Sequence, residues 1–209
     1  MDVKTIWQCG MNNLSVSADG GKTWKAIKDK KGGFGCLVAF VDDKTGWFGF
    51  GNKFETTTDG GATWAALSLP KDVSKVAAIS LRSPVDGYLV DDKGILYITK
   101  DGGKTWSSKS LGLDNPAILG FVSGGFVNEI PQTAIRFADA DNGLIVLGIS
   151  GKASMIALHT DDGGKTWKEK ALPAKLFGAP YISRDGKFVT INKWNDDRTP
   201  GGTTLLKYE

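Results

Sequence analysis

Short runs of apolar residues recur along the whole chain, and glycine, aspartate or proline separates each run from the next. The runs are rich in β-branched and aromatic residues, and no stretch repeats apolar residues with the period of a helix, so the pattern predicts β-strands throughout. In the middle of the chain the runs form groups of three, at 37–40, 46–50 and 54–57, at 76–81, 87–90 and 95–99, and at 134–137, 143–147 and 155–160.

An eight-residue phrase, S/T-x-D-G-G-x-T-W, occurs four times, at 17–24, 57–64, 99–106 and 160–167. Its Asp can accept backbone N–H bonds, its glycines tolerate positive φ, and its Trp offers a large apolar face to a neighbouring layer. Each copy therefore predicts a tight turn that satisfies its own carboxylate. We interpret the aspartates and tryptophans of the phrase as structural, not as catalytic or metal-binding residues: Asp19, Trp24, Asp59, Trp64, Asp101, Trp106, Asp162 and Trp167.

The phrase resembles the Asp-box, or bacterial neuraminidase repeat. This repeat is found in sialidases, sortilin-type receptors, some xyloglucan hydrolases and the photosystem II assembly-factor family. In those proteins the box forms the turn between the third and fourth strands of a β-propeller blade, away from the face that binds ligand. The resemblance implies an all-β propeller with antiparallel four-stranded blades.

The spacing of the tryptophans that close the phrase supports a blade-sized repeat. Trp24 and Trp64 lie 40 residues apart, Trp64 and Trp106 lie 42 apart, and Trp106 and Trp167 lie 61 apart. Such a unit fits one four-stranded blade, with a single long insertion in the fourth unit. We therefore predict one propeller domain over 1–209, with about five blades at 1–30, 31–70, 71–110, 111–172 and 173–209.

The two ends of the chain predict incomplete blades. The runs at 5–10 and 14–17 align with second and third strands, so the first blade lacks its innermost strand. The last unit has three runs, at 181–183, 187–192 and 203–208, but no Asp-box and no clear fourth strand. Because exposed strand edges favour pairing, the ends complete each other, or the molecule self-associates through them, or the chain is truncated.

Composition and charge narrow the classes of partner. With 209 residues, 41% of them hydrophobic, the chain can bury the core of one compact domain. A net charge of +3, with lysines scattered through the loops, does not indicate nucleic acid or a membrane surface. No apolar stretch is long enough to insert in a membrane, and the first residues do not form a signal peptide. The resemblance to exported proteins nevertheless favours an extracytoplasmic location after removal of a leader.

The inventory of nucleophiles and ligands is small. Cys9 and Cys36 fit two buried thiols better than a single bridge across the first two blades, because both stand at strand positions typical of packing. His159 is the only histidine of the sequence, and it lies beside an Asp-box, so we interpret it as structural. A histidine zinc site or a Ser-His-Asp triad has little support. We predict no metal, no cofactor and no catalytic residue.

The number and positions of the arginines bear most directly on whether the chain could be a sialidase-like enzyme. By family resemblance such an enzyme requires three arginines from different blades, a Tyr-Glu pair and an acidic Asp. The chain has four arginines, and only Arg136 stands on an inner strand that resembles the sialidase pattern. Phe137 and Ala138 follow it where the family has Ile-Pro, so an enzyme is the less favoured interpretation.

The loops opposite the Asp-boxes are the candidate binding surface, because long loops on a repetitive scaffold commonly carry function. Trp194, beside two carboxylates and Arg198, could stack on a sugar or anchor a protein, or could fill the junction of the ring. We predict that a protein or glycan ligand contacts a set of aromatic and charged residues: Phe121, Phe126, Glu129, Arg136, Phe177, Trp194, Asp196, Asp197 and Arg198.

Three functional hypotheses follow. The first is a non-catalytic binding or assembly scaffold, which the resemblance to the photosystem II assembly-factor family implies through the short blades and the segment 49–54 that leads into the second box. The second is carbohydrate recognition or hydrolysis by a sialidase-like or other glycoside hydrolase propeller. The third is a structural subunit that self-associates through its incomplete terminal blades.

Overall fold

The computed structural model describes residues 4–10, 13–29, 36–114, 116–118, 121–124, 127–131, 133–150, 155–170, 172, 178–194 and 200–207. Within these ranges the regular structure consists of β-strands, and no helix is present. The first three sheets contain, in chain order, β1 (Ile6–Cys9), β2 (Asn13–Ser17) and β3 (Lys25–Asp29); β4 (Leu37–Phe40), β5 (Gly46–Phe50), β6 (Lys53–Thr57) and β7 (Ala65–Leu67); and β8 (Val76–Leu81), β9 (Gly87–Asp91), β10 (Ile95–Thr99) and β11 (Ser107–Ser110).

The second half of the chain continues the series after one hairpin. Its strands are β12 (Phe121–Gly124) and β13 (Val127–Pro131); β14 (Thr133–Phe137), β15 (Gly143–Leu147), β16 (Ile156–Thr160) and β17 (Lys168–Lys170); and β18 (Gly178–Ile182), β19 (Phe188–Trp194) and β20 (Pro200–Lys207). We name the sheets β1–β3, β4–β7, β8–β11, β14–β17 and β18–β20 blades 1 to 5.

The five blades form a β-propeller, which confirms the predicted fold class. Every blade is an antiparallel meander in which sequential strands are neighbours. The innermost strands lie side by side in chain order, β4 beside β8, β8 beside β14, and β14 beside β18. Within the described ranges, blades 2, 3 and 4 have four strands and blades 1 and 5 have three, so the terminal blades are incomplete as predicted.

The core lies between the blades, because each strand points alternate side chains towards the blade before it and the blade after it. Trp7 of blade 1 stacks on Phe40 of blade 2 at 3.7 Å, and Tyr88 of blade 3 stacks on Phe137 of blade 4 at 3.8 Å. Strand β9 begins at Gly87, and a Cβ at this position would overlap the ring of Trp47 from blade 2. Aromatic side chains thus join one blade to the next across the propeller.

The preference for two buried thiols is wrong. Cys9 and Cys36 form a disulfide that joins β1 to the residue just before β4, and both residues are half-buried. The register of β1 turns Cys9 towards blade 2, where its Cα lies 6.1 Å from that of Cys36, within the normal range for a bridge. A packing position within one strand and a bridge between blades look alike in the sequence, because the contact depends on how the blades stack.

The long connection before blade 4 contains a hairpin that the sequence analysis did not predict. Strands β12 and β13 pair with each other, and β13 lies beside β18 of blade 5. The Ser-Gly-Gly sequence at 123–125 is the signal that could have indicated this turn. The insertion therefore places backbone next to the innermost strand of blade 5.

Candidate functional site

Each Asp-box is a self-contained turn. In the second copy, the Thr57 hydroxyl donates to Asp59 Oδ1 at 2.8 Å, and the Gly61 N–H donates to Thr57 Oγ1 at 2.9 Å. Thr63 donates twice to Asp59, from its backbone N–H at 2.9 Å and from its hydroxyl at 2.5 Å. The other three boxes repeat these bonds through Asp19, Asp101 and Asp162.

These hydrogen bonds hold the box aspartates in the ionised form. Bonds from the side chain and backbone of the Thr four residues later lower the pKa of Asp19, Asp59 and Asp101 to about 2, and act in the same direction on Asp162. A carboxylate with so low a pKa is a poor proton donor or acceptor near neutral pH. The box aspartates therefore serve the turn.

The tryptophans of the three interior boxes pack against aromatic side chains, and Trp106 does so across a boundary between blades. Trp106 of blade 3 donates from Nε1 to the Ser68 carbonyl of blade 2 at 2.9 Å and packs near Trp47 of the same blade. Trp64 contacts Phe40 and Phe48 edge-on, and Trp167 contacts Phe137 in the same way. The Asp-box side of the propeller thus combines turns with interblade packing.

The turns between first and second strands, on the same side as the boxes, also satisfy their own carboxylates. Asp42 accepts the Lys44 and Thr45 N–H groups at 2.8 and 2.6 Å, and Asp139 accepts those of Asp141 and Asn142 at 2.9 and 2.7 Å. In blade 3, Asp86 pairs with Arg82, and Lys100 approaches its other oxygen at 3.4 Å. The carboxylates of Asp42, Asp86 and Asp139 are thereby engaged within or beside their own turns.

Arg136 occupies the end of β14 next to the turn 138–142, which is the Asp-box side of the blade. Burial is the main cause that lowers its pKa, Tyr181 opposes this effect, and Arg184 adds to it. Its buried Nε has no hydrogen-bond partner within the described structure. The side chain therefore lies near blade 5, at the end of its strand away from the loop face.

The remaining predicted ligand residues are placed only in part. Phe121 lies in β12, Glu129 in β13 and Trp194 at the end of β19, so the backbone positions of these three are known. The hairpin that carries the first two lies beside blade 5, which carries the third. The other predicted contact residues fall outside the described ranges: Phe126, Phe177, Asp196, Asp197 and Arg198.

The loop face lies opposite the Asp-boxes, and the structure describes the part of it over blades 3 and 4. The connection that follows β11 binds this surface, because Leu111 N–H donates to Gly94 O at 2.9 Å and Ile118 N–H donates to Asp92 O at 3.0 Å. Ile118 also forms a β-bridge with Ile149 of blade 4. This segment therefore contacts both blades and covers the junction between them on the loop face.

Asp91 is a buried loop-face carboxylate that the sequence analysis did not single out. It accepts the N–H groups of Lys93 at 3.0 Å and Ile95 at 2.9 Å, and the Tyr97 hydroxyl approaches its other oxygen at 3.4 Å. Burial, followed by the charge of Asp91, raises the pKa of Tyr97. The Asp-Asp-Lys-Gly sequence at 91–94 was a turn signal that could have indicated it.

Metal and membrane sites receive no support from the described ranges. No three metal-ligating side chains cluster among the described residues. No described helix has the length and apolar character needed to cross a membrane. His159 lies in β16 opposite Leu144 and Lys168, and burial, reinforced by Lys170, lowers its pKa.

The blades, their stacking and the four boxes define an Asp-box β-propeller. The family model for photosynthesis system II assembly factor YCF48 matches residues 33–116 and 62–186, and the BNR/Asp-box repeat model matches residues 15–26. The chain belongs to the YCF48 assembly-factor family. No curated protein matches it significantly in sequence.

Solved structures share the propeller architecture at low sequence identity. YCF48 from Cyanidioschyzon merolae is 19% identical with a TM-score of 0.58, over 99% of this chain and 68% of that one. An ancestral GH74 enzyme is 11% identical with a TM-score of 0.58, over 99% of this chain and 31% of that one. YCF48 bound to a D1 peptide is 18% identical with a TM-score of 0.43, over 91% of this chain and 87% of that one.

Proposed function

We propose that this chain is a non-catalytic assembly factor that holds a protein partner on its loop face. The observation that carries the proposal is the match of the YCF48 family model, which extends from residue 33 to residue 186 and so includes the three complete blades. Assembly factors act by binding other proteins, and a propeller offers a rigid scaffold on which loops can be presented.

The distribution of polar groups supports the loop face as the binding surface. On the opposite side, the box aspartates are bonded within their turns, and Asp86 is paired with Arg82 and approached by Lys100. The long connection before blade 4 reaches the loop face through Ile118 and continues into the β12–β13 hairpin beside blade 5. We therefore place the partner near this hairpin and the end of β19, where Phe121, Glu129 and Trp194 lie.

The glycan partner and the carbohydrate-active alternative rest on weaker grounds. The likeness to the GH74 enzyme is a likeness of fold at 11% identity. Arg136, the arginine that resembles a sialidase position, lies half-buried near Arg184 at the Asp-box end of its strand. No specific observation favours carbohydrate chemistry over protein binding.

We further propose an extracytoplasmic location. The support is the disulfide between Cys9 and Cys36, because such bonds persist in oxidising compartments and are rare in reducing ones. Thiol labelling of the protein taken from its native cells, with and without prior reduction, tests this point. Labelling of both cysteines without reduction would contradict it.

Site-specific photo-crosslinking in the native cells tests the binding face. A photoreactive residue at position 121 or 194 should yield one defined protein adduct, whereas the same residue at the exposed Val85, on the Asp-box side, should not. Adducts from position 85 alone would contradict the loop-face assignment. Absence of any protein adduct, together with glycan binding that Trp194→Ala abolishes, would favour the carbohydrate alternative.

A further inference from the structure

Blade 5 has one buried face and one open face. Ile182, Val189 and Ile191 pack on blade 4, whereas Tyr181 and Leu205 on the other face are 67% and 63% exposed. The register places Tyr181, Thr190 and Leu205 in one row across the three strands. The open face therefore presents an aromatic and an aliphatic side chain together.

In the interior blades the corresponding row is covered by the next blade. The row in blade 3 contains Ser80, Tyr88 and Ile98, and Tyr88 is fully buried because Phe137 of blade 4 stacks on it. Among the described residues, none covers Tyr181 and Leu205 of blade 5 in this way. The open face of blade 5 thus corresponds to the surface that each interior blade presents to the blade after it. We call this surface the first half of the interblade interface.

Blade 1 presents the second half. The interior box residue Trp106 packs against the preceding blade 2, and Lys28 of blade 1 lies over the ring of Trp64 in blade 2, but Trp24 is 43% exposed. Ile6 lies in the same row as the box residue Ser17, on the face away from blade 2, while its neighbour Trp7 points to blade 2 and stacks on Phe40. A blade placed before blade 1 would cover Trp24 and Ile6.

We propose that a second copy of this chain docks head to tail, with the Trp24 face of blade 1 in one copy against the Tyr181–Leu205 face of blade 5 in the other. Both faces continue the stacking of the blades, because each is one half of the interface that joins consecutive blades within the chain, and Trp24, Tyr181 and Leu205 remain exposed. The contact uses different surfaces on the two copies, so it extends into a ring or an open chain of copies. This association goes beyond the proposed function and leaves the loop face free.

Light scattering on the full 209-residue chain over a range of concentrations provides the first test. We expect a mass above the 22.3 kDa of one chain that rises with concentration. Leu205→Lys and Trp24→Ala should each raise the dissociation constant by about thirtyfold or more, as for other interface anchors. Val85→Lys, at an exposed apolar residue of an unrelated turn, should leave the mass unchanged.

Mixing the two defective variants makes the test specific for the head-to-tail arrangement. Trp24→Ala keeps an intact blade 5 face, and Leu205→Lys keeps an intact blade 1 face, so an equimolar mixture should form a dimer that cannot grow further. Tyr181→Lys should replace Leu205→Lys in this mixture, which guards against a folding defect in either blade 5 variant.

Three results would overturn the proposal. One is a wild-type chain that stays monomeric at every concentration. Another is an associating wild type whose two variants do not rescue each other, which would indicate a contact between identical faces. The third is a disulfide that forms within a monomer carrying Trp24→Cys and Leu205→Cys, since it would mean that blades 1 and 5 of one chain close on each other.

Discussion

The interfaces between interior blades differ sharply from the outer faces of the terminal blades. Trp47 and Tyr88, in the interior, are at most 1% exposed, whereas Trp24 and Tyr181, at the ends, are 43% and 67% exposed. The local structure is nevertheless the same, because the box at Trp24 makes the same hydrogen bonds as the boxes of blades 2 to 4. A single repeat thus forms the hydrogen bonds of its turn alone, whereas the burial of its aromatic side chains depends on packing against other strands and blades.

The Asp-box fixes a turn, but the turn by itself does not bury the tryptophan that closes it. Polar bonds within the box connect residues at most four positions apart, so they form in any copy. Trp106 is half-buried, and part of its cover comes from Ser68 and Trp47 of the preceding blade, as in other repeat proteins whose stability comes from neighbour interfaces. Stability should therefore be concentrated in blades 2, 3 and 4.

Truncation of an aromatic side chain between interior blades should have the largest effect on the free energy of unfolding. We expect Trp47→Ala to lower the free energy of unfolding by about 3–5 kcal/mol, because it leaves a cavity between blades 2 and 3. Trp24→Ala should lower it by less than half as much. Denaturant unfolding followed by circular dichroism measures both, and equal losses would contradict the contrast between interior and terminal blades.

Removal of the disulfide should destabilise blade 1 selectively. Cys9→Ser combined with Cys36→Ser should cost about 2–4 kcal/mol, since the bridge ties a three-stranded blade to its only described neighbour. Hydrogen exchange should accelerate in β1–β3 and stay unchanged in β8–β11. The matched control is reductant, which should reproduce the effect in the wild type and do nothing to the double variant.

Overpacking an interior interface should have a smaller effect. Gly87→Ala places a Cβ against the ring of Trp47 and should cost about 1–3 kcal/mol. In a Trp47→Phe background the same change should cost less, because the smaller ring vacates part of that space. A double-mutant cycle measures the coupling, and strictly additive losses would exclude the contact as the cause.

Substitution of an Asp-box aspartate should have the smallest effect on stability. The effect should be equal in interior and terminal blades. The carboxylates of Asp19 and Asp101 have a pKa of about 2 in the fold, below the ordinary value of 3.8. Their stabilisation is therefore fully present above about pH 4 and is lost as the pH falls through about 2. Asp19→Asn and Asp101→Asn should reduce this acid-dependent loss to the same extent, as measured by thermal unfolding between pH 5 and pH 2. A larger change at Asp101 would contradict a purely local role.

The candidate site was predictable only in outline. The sequence indicated that long loops gather opposite the boxes, but it did not reveal the β12–β13 hairpin or the buried Asp91 turn beneath the connection 111–118. It also suggested Arg136 as a ligand residue, and the structure places that guanidinium near Arg184 at the other end of its strand. Which residues meet on a face depends on the order and stacking of blades.

The all-β class, the repeat, the Asp-box turns and the incomplete end blades could all be predicted from the amino-acid sequence. These features follow from residues close together in the chain, because turn hydrogen bonds and strand alternation are local. The tertiary structure alone decided the bridge between Cys9 and Cys36, the stacking of Trp7 on Phe40, and the exposure of Trp24 and Leu205. These depend on contacts between blades, and an unchanged local sequence is buried or exposed according to whether a neighbouring blade covers it.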